Sequence, residues 1–325
     1  MNDLENFLAL VRFGRPERIP ERTPGYGIHY RGCHHEDAQG VGHDRPRGES
    51  WKDLWGVGWH KDLDGVMGFP RTHPLADLTQ VDAYRFPDPD DPALVAAIDA
   101  GKARFEAEGL QGTRMLCGSN RDTLWERAYM LVGMEDLMAA FYTDPELVHR
   151  LLDRILAFQL RIAAHYVRVG VQMADLSDDM GTQNALLLGE RIFDTFFMPR
   201  YARLIDFYRA HGVLVSFHSC GHIQPLLPRF VELGIHILNP VQASANDLEA
   251  VRRVTRGRLV LHGAVDSRVV MEGTPEAVEA CVRERIGQLG REGAYICSPD
   301  QGMPYPRENL DALSRAVARW GRIAW

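Results

Sequence analysis

Residues 214–227 read LVSFHSCGHIQPLL, an apolar, β-branched run that ends in His, Ser, Cys and Gly before a proline-bearing helical stretch. If 213–220 is a strand, alternate side chains share a face. His218 and Cys220 then project together at its carboxyl end, and Ser219 points the other way. Gly221 frees the backbone to turn. An imidazole beside a thiol suits a soft divalent ion such as zinc, which holds sulfur at ~2.3 Å and nitrogen at ~2.0 Å. Packing in a core or hydrogen bonding to backbone is the plainer alternative for the pair.

The chain around this stretch repeats its design. Short apolar runs that close on polar or glycine residues occur at 112–119, 171–179, 235–242, 259–266 and 294–300. Between them lie helical patterns with apolar residues at three and four spacing, such as DPELVHRLLDRILAFQLRIAAHYVRVG and ERIFDTFFMPRYARLIDFYRAHG. The stretch TPEAVEACVRERIGQLGREG opens with Thr274 as N-cap and Pro275 at the first helical position. Successive βα units, with no dinucleotide-type Gly-x-Gly-x-x-Gly after any strand, predict an α/β fold of the closed (β/α)8 kind, a TIM barrel, rather than an open Rossmann sheet. Regular units are expected over 93–325. Residues 1–92, with the connection FPDPDDP at 86–92, form an irregular N-terminal excursion over the barrel mouth, all within one domain spanning 1–325.

Composition narrows the function. The 325 residues are 45% hydrophobic with a formal charge of -7, so the chain can bury a large core and offers no basic surface for nucleic acid or an anionic membrane. No apolar run reaches the roughly 20 residues that span a bilayer, and MNDLENFLALVRFGRPERIP starts as an amphipathic helix rather than a signal peptide. A cytoplasmic protein acting on small molecules is the expectation. Five cysteines argue for free thiols, ligands or core residues rather than disulfides.

In a barrel the carboxyl ends of all strands meet on one rim. Cys297, at the end of the last clear strand, is therefore a candidate third donor with His218 and Cys220, leaving one position open as in a catalytic zinc site. Cys117 and Cys281 read as small core residues. Asp175, Asp178, Asp179, Asp266 and Asp300 stand at strand ends, where carboxylates ligate metal, move protons or cap the next helix. Asn239 and Gln242 lie near the same rim as candidate substrate contacts. His29, His34, His35 and His43 read as loop histidines, and Trp51, Trp55 and Trp59 as packing of the excursion on the barrel or as pocket walls.

The stretches RPERIP (15–20), DLWGVGW (53–59), HPLADLTQVDAYRFPDP (73–89), HSCGHIQPLLPRFVELGIHILNPVQ (218–242), GTPEAVEACVRERI and PDQGMPYPRENLDAL resemble, in order, those of the uroporphyrinogen decarboxylase superfamily, particularly its corrinoid-dependent methyltransferase branch. That resemblance implies a TIM barrel and a zinc held by a His-x-Cys pair and a distant Cys. It also implies methyl transfer between a small methyl donor or thiol and a methyl-corrinoid. His218 and Cys220 match the pair. Placed by the ENL that follows, the distant Cys position falls on Asp300, Gln301 and Gly302, which leaves Cys297, Asp300 or no zinc at all as alternatives. Asp178, Asp179, Asp266 and Asp300 are then supporting or proton-handling groups. No cobalamin-binding Asp-x-His-x-x-Gly occurs, so the corrinoid would come on a separate protein, and oligomerisation is possible. The decarboxylase proper is the alternative, but its Arg-Gln-Ala-Gly-Arg-Tyr signature has no counterpart near RIPERTPGYGIHYRG.

Overall fold

The computed structural model describes residues 1–33, 45–64 and 67–324, so His34, His35 and His43 lie outside the described residues. The first part of the chain supplies β1 (Gly25–Ile28) and a small antiparallel sheet of β2 (Ser50–Lys52), β3 (Gly58–His60) and β4 (Phe69–Thr72). The remainder supplies β5 (Met115–Arg121), β6 (Met173–Ser177), β7 (Leu214–His218), β8 (Ile237–Val241), β9 (Val260–Val265) and β10 (Tyr295–Pro299). β1 and β5 to β10 pair side by side, all parallel, with helices between them. This is the TIM barrel expected, built among the described residues from seven paired strands rather than eight. The lead-in to β1 lies against β10, where the Cys297 N–H donates to Pro20 O at 2.9 Å, so the sheet curls back on itself.

Alternation along the strands divides the core in two. Met115, Cys117, Met173, Ile237, Val260 and Ile296 point inward and meet Leu4, Phe7, Leu10 and Val11 of the helix Asp3–Val11, which plugs the base of the barrel. A capping box fixes the start of that plug: Asn2 accepts from Glu5 N, and the Glu5 side chain accepts from Asn2 N. The excursion is thus only part of what the first 92 residues do, since they also give the barrel a strand and a floor. The other positions of each strand, among them Leu238, Leu261, Tyr295 and Cys297, face the helix layer.

The three-stranded sheet is fastened to the barrel by a buried cation. The Arg127 guanidinium, 2.9 Å from Asp122 and 3.7 Å from Asp53, lies over the Trp55 ring at 4.4 Å. Asp53 also accepts the N–H groups of Trp55 and Val57 and the Trp59 indole N–H. Trp55 packs edge-on against Phe158 at 4.7 Å, so it is the packing residue its position suggested. No helix among the described residues is long and apolar enough to cross a membrane.

Candidate functional site

β7 stops at His218, two residues short of the strand end that the alternation argument assumes, and Cys220 sits in the turn beyond it. The pair still converges, with Cys220 Sγ 3.4 Å from His218 Nε2. His218 Nδ1 bonds Asn239 Oδ1 at 2.9 Å. Because that oxygen only accepts, Nδ1 carries the proton and the Nε2 lone pair is turned toward Cys220. Asp179, two residues beyond β6, brings Oδ1 to 3.5 Å from the same Nε2 and accepts the Cys220 N–H at 2.8 Å. One donor atom from each of Asp179, His218 and Cys220 lies within 4.8 Å of the others. Tetrahedral bonds of the usual zinc lengths put neighbouring donors roughly 3.3–3.6 Å apart, and the sulfur–nitrogen and nitrogen–oxygen spacings fall there. The donor set fits a divalent ion of zinc type. Burial, and after it the Asp179 charge, pushes the Cys220 thiol up to about 12, so an ion bound here displaces its proton. Gln301 Nε2 donates to the sulfur at 3.3 Å.

The turn that presents Cys220 depends on Gly221, which adopts φ +82°. A Cβ at that position would meet Gly181 and Thr182 backbone atoms at 2.5 Å. The two loops touch main chain to main chain, with His222 N–H donating to Thr182 O at 2.6 Å. Gln242 Oε1 accepts the Gly221 N–H, and Asn246 Nδ2 donates to Gly221 O at 2.9 Å. Gln242 therefore shapes the turn, and Asn239 orients the imidazole while also lining a cavity.

Two cavities flank the donors. One of 270 Å³, inside the barrel, is lined by inward residues of four adjacent strands: Ser119, Arg121, Asp175, Ser177, Ser216, His218 and Asn239 among them. The other, of 410 Å³, lies between Asp179, Arg121, Glu126 and Tyr129 on the barrel side and Trp59 and residues 67–70 of the excursion. The excursion thus does cover the mouth, and Trp59 is a pocket wall. Burial raises Asp175 to about 6 and lifts Glu126 well above the usual carboxylate range, the latter with the help of Asp122, Asp178 and Asp179.

The other rim residues are placed differently from the sequence expectation. Cys297 is a correction: its side chain is buried on the helix side of β10, because Ile296 takes the inward position, and it is absent from the donor cluster. Its thiol is pushed up to about 12 by burial. Asp178 is fully buried, its carboxylate accepting the N–H groups of Leu124 and Glu126 at 2.7 Å and the Tyr201 hydroxyl. It anchors the start of the helix Trp125–Val132 rather than facing a cavity of the site. Asp266 caps the helix Ser267–Glu272 through Arg268 N at 2.8 Å, and Asp300 accepts from Ser267 N at 3.1 Å and from its hydroxyl. Of the four carboxylates expected to handle protons or support the metal, Asp179 alone joins the donors. Arg121 and Glu126 were not anticipated, and Gln301, one of the positions on which the resemblance puts the distant Cys, meets the Cys220 sulfur instead of supplying one. For Arg121 a signal existed, since a polar residue at an inward position of a barrel strand faces the interior by alternation alone.

A barrel whose rim gathers a metal-grade donor set beside open cavities defines a TIM-barrel enzyme with its chemistry at the carboxyl ends of the strands. Residues 69–320 match the family described as Uroporphyrinogen decarboxylase (URO-D), and the chain belongs to that family. Relatives include the uroporphyrinogen decarboxylase of Synechococcus sp. (strain CC9605), 25% identical over 81% of this chain and 74% of that protein. The decarboxylase of Parasynechococcus marenigrum (strain WH8102) is 24% identical over 72% of this chain and 67% of its own length. Among solved structures, a methyltransferase from Methanosarcina mazei superposes with a TM-score of 0.72 over 97% of this chain and 98% of that one. At 16% identity that likeness is one of fold.

Proposed function

We propose that the chain is a methyltransferase that moves a methyl group between a small-molecule donor or thiol and a corrinoid, with zinc held by Asp179, His218 and Cys220. The observation that carries this reading is the convergence of those three donors at the rim, with room left beside them. Its fold is also that of a protein named a methyltransferase. Zinc in such a site lowers the pKa of a bound thiol so that the thiolate is present at neutral pH. The chain's own groups prepare for this. Asn239 fixes the tautomer that turns the Nε2 lone pair toward Cys220 and Asp179, Asp179 adds a hard anionic donor, and Gln301 donates to the Cys220 sulfur and so tempers its charge. The walls of the two cavities orient the substrate so that the methyl and its acceptor meet in line. The methyl-corrinoid is supplied by a separate corrinoid protein.

Purified protein should contain about one zinc per chain. Zinc-loaded enzyme given methylcobalamin and a small thiol should form the thioether and release cob(I)alamin. The sequence relatives favour a second reading, a metal-independent decarboxylase acting on a porphyrinogen. Against it, the cavities carry Asp175, Glu126 and Asp179 and one guanidinium, a poor receptor for a macrocycle bearing many carboxylates. Carbon dioxide release from uroporphyrinogen by zinc-free protein, with no methyl transfer from methylcobalamin, would overturn the first reading in favour of the second.

A further inference from the structure

Outside the barrel wall, the helices Leu248–Thr255 and Pro275–Arg285 part around a cavity of 990 Å³, larger than either at the rim and sharing no residue with them. The second helix turns Ala277, Ala280 and Cys281 toward it, side chains too short to close the gap. Arg252 of the first helix also lines it and is only 7% exposed. Its Nη2 donates to Leu289 O and, at 3.2 Å, to Ala294 O, which ties the first helix to the chain between the second helix and β10. That bracing takes one nitrogen of the three. Nε is buried without a partner, Nη1 has none among the described residues, and no carboxylate there lies within ion-pair distance. Burial lowers the guanidinium to about 10, so it is still a cation at neutral pH. A buried cation with unused donors is costly unless an anion completes it.

The chain neutralises only part of the charge around Arg252. Arg256 is held by Glu292 at 3.0 Å and Arg285 by Glu284 at 2.9 Å. Arg283, also on the lining, has the Trp320 ring 5.6 Å away and no carboxylate, and Arg291 makes no ion pair or side-chain hydrogen bond with any described residue. Among the lining carboxylates Asp266 is spent on capping the helix Ser267–Glu272, which leaves Glu249 alone uncommitted. Three guanidiniums against one free carboxylate make a receptor for an anion of more than one charge, and their forks match the oxygens of a phosphate group. The volume far exceeds a phosphate's, and Val269 and Leu289 add apolar wall for an organic body. We propose that this cavity is a second ligand site, which takes the phosphate or pyrophosphate of a small organic molecule on Arg252, Arg283 and Arg291. The site needs nothing from the methyl-transfer reading.

Adenosine 5′-diphosphate, pyrophosphate and adenosine separate the anion from the body that carries it. In calorimetry on the purified full-length chain, the diphosphate ester should bind at about one site per chain, and adenosine should bind at least about a hundredfold more weakly, because the charged hydrogen bonds are lost. Arg283→Gln and Arg291→Gln, both at exposed positions, should each weaken the ester about tenfold and leave the urea midpoint in place. Arg252→Gln should weaken it further and also lower the midpoint, since Leu289 O and Ala294 O lose their donor. If that variant does not fold, the two exposed ones decide. Pyrophosphate binding about tenfold weaker than the ester supports an organic ligand seated on the apolar wall, and equal binding keeps the anion site but gives it to an inorganic ion. The assignment is overturned if the ester does not bind, if adenosine binds as tightly, or if neither Arg283→Gln nor Arg291→Gln changes the affinity.

Discussion

Two sectors of the same rim carry similar residues and do different work. At the ends of β6 and β7, Asp179, His218 and Cys220 face one another beside two cavities. At the ends of β9 and β10, Asp266, Asp300 and Cys297 are just as polar in sequence, yet the two carboxylates cap or brace the helix Ser267–Glu272 and the thiol packs against the helix layer. The difference is one of direction. β7 places His218 inward, in register with Ser177 and Asn239, whereas on β10 the inward places go to Ile296 and its alternates and Cys297 looks outward. A residue's distance along the strand says which rim it reaches, and its parity says which side of the wall it serves.

The contrast breaks most sharply on the two cysteines. Cys220→Ser should release the metal and reduce methyl transfer by roughly a thousandfold or more, since a catalytic ion has few protein ligands to spare. Cys297→Ser should keep about one zinc per chain with activity within a few-fold. Elemental analysis beside the activity assay reads both, and zinc lost from the Cys297 variant would restore the sequence-based ligand set.

Asp178 tests whether a rim carboxylate acts by chemistry or by holding the scaffold. Asp178→Ala strips two backbone N–H groups and the Tyr201 hydroxyl of their buried acceptor. At about 1–3 kcal/mol for each buried group left unpaired, a destabilisation of at least about 3 kcal/mol is expected in urea unfolding. Stability that is unchanged while turnover collapses would return Asp178 to the proton-handling role. Asn239→Ala is gentler, because it removes only the acceptor that orients His218. Such outer partners are worth 10–100-fold in metal affinity, so zinc should bind 10–100-fold more weakly, as a chelator competition measures, with the urea midpoint little changed.

These contrasts also show what a sequence displays and what it hides. The barrel was legible because each buried parallel strand is a short apolar run closed by polar residues, with a well-capped helix after it. His218 and Cys220 were legible because two ligands two residues apart need only one element to bring them together. Asp179 as a ligand was not, since it reaches His218 only through the pairing of β6 with β7, a contact between residues 39 apart in the chain. Cys297 misled because the end of its strand was visible while the parity of its wall position was not. The first 92 residues hid a strand and a plug because β1 has four residues, two of them glycine, and shows no alternation.

The smallest effect is expected from a pair deep in the barrel. Burial lowers the His262 imidazole to about 4 and raises the Asp175 carboxyl to about 6. The unfolded chain protonates histidine near 6.5, so the stability tied to neutral His262 is complete above that pH and is lost as the pH falls toward 4. Asp175 runs the other way: unfolded aspartate ionises near 3.9, so its burial is unfavourable above pH 6 and is relieved as the pH falls toward 4. Each contributes up to about 1.4 kcal/mol per pH unit, with opposite signs over the shared window from 6 to 4, and together they nearly cancel. Replacing either group exposes the contribution of the other. Asp175→Asn should lose stability on acidification through this window faster than the unaltered chain, and His262→Gln should lose it more slowly or gain. Urea midpoints measured at pH 6, 5 and 4 for the three proteins decide it. Parallel curves would mean that neither group is held in its buried form, and that the polar interior beneath His218 is open to water rather than shaped for a ligand.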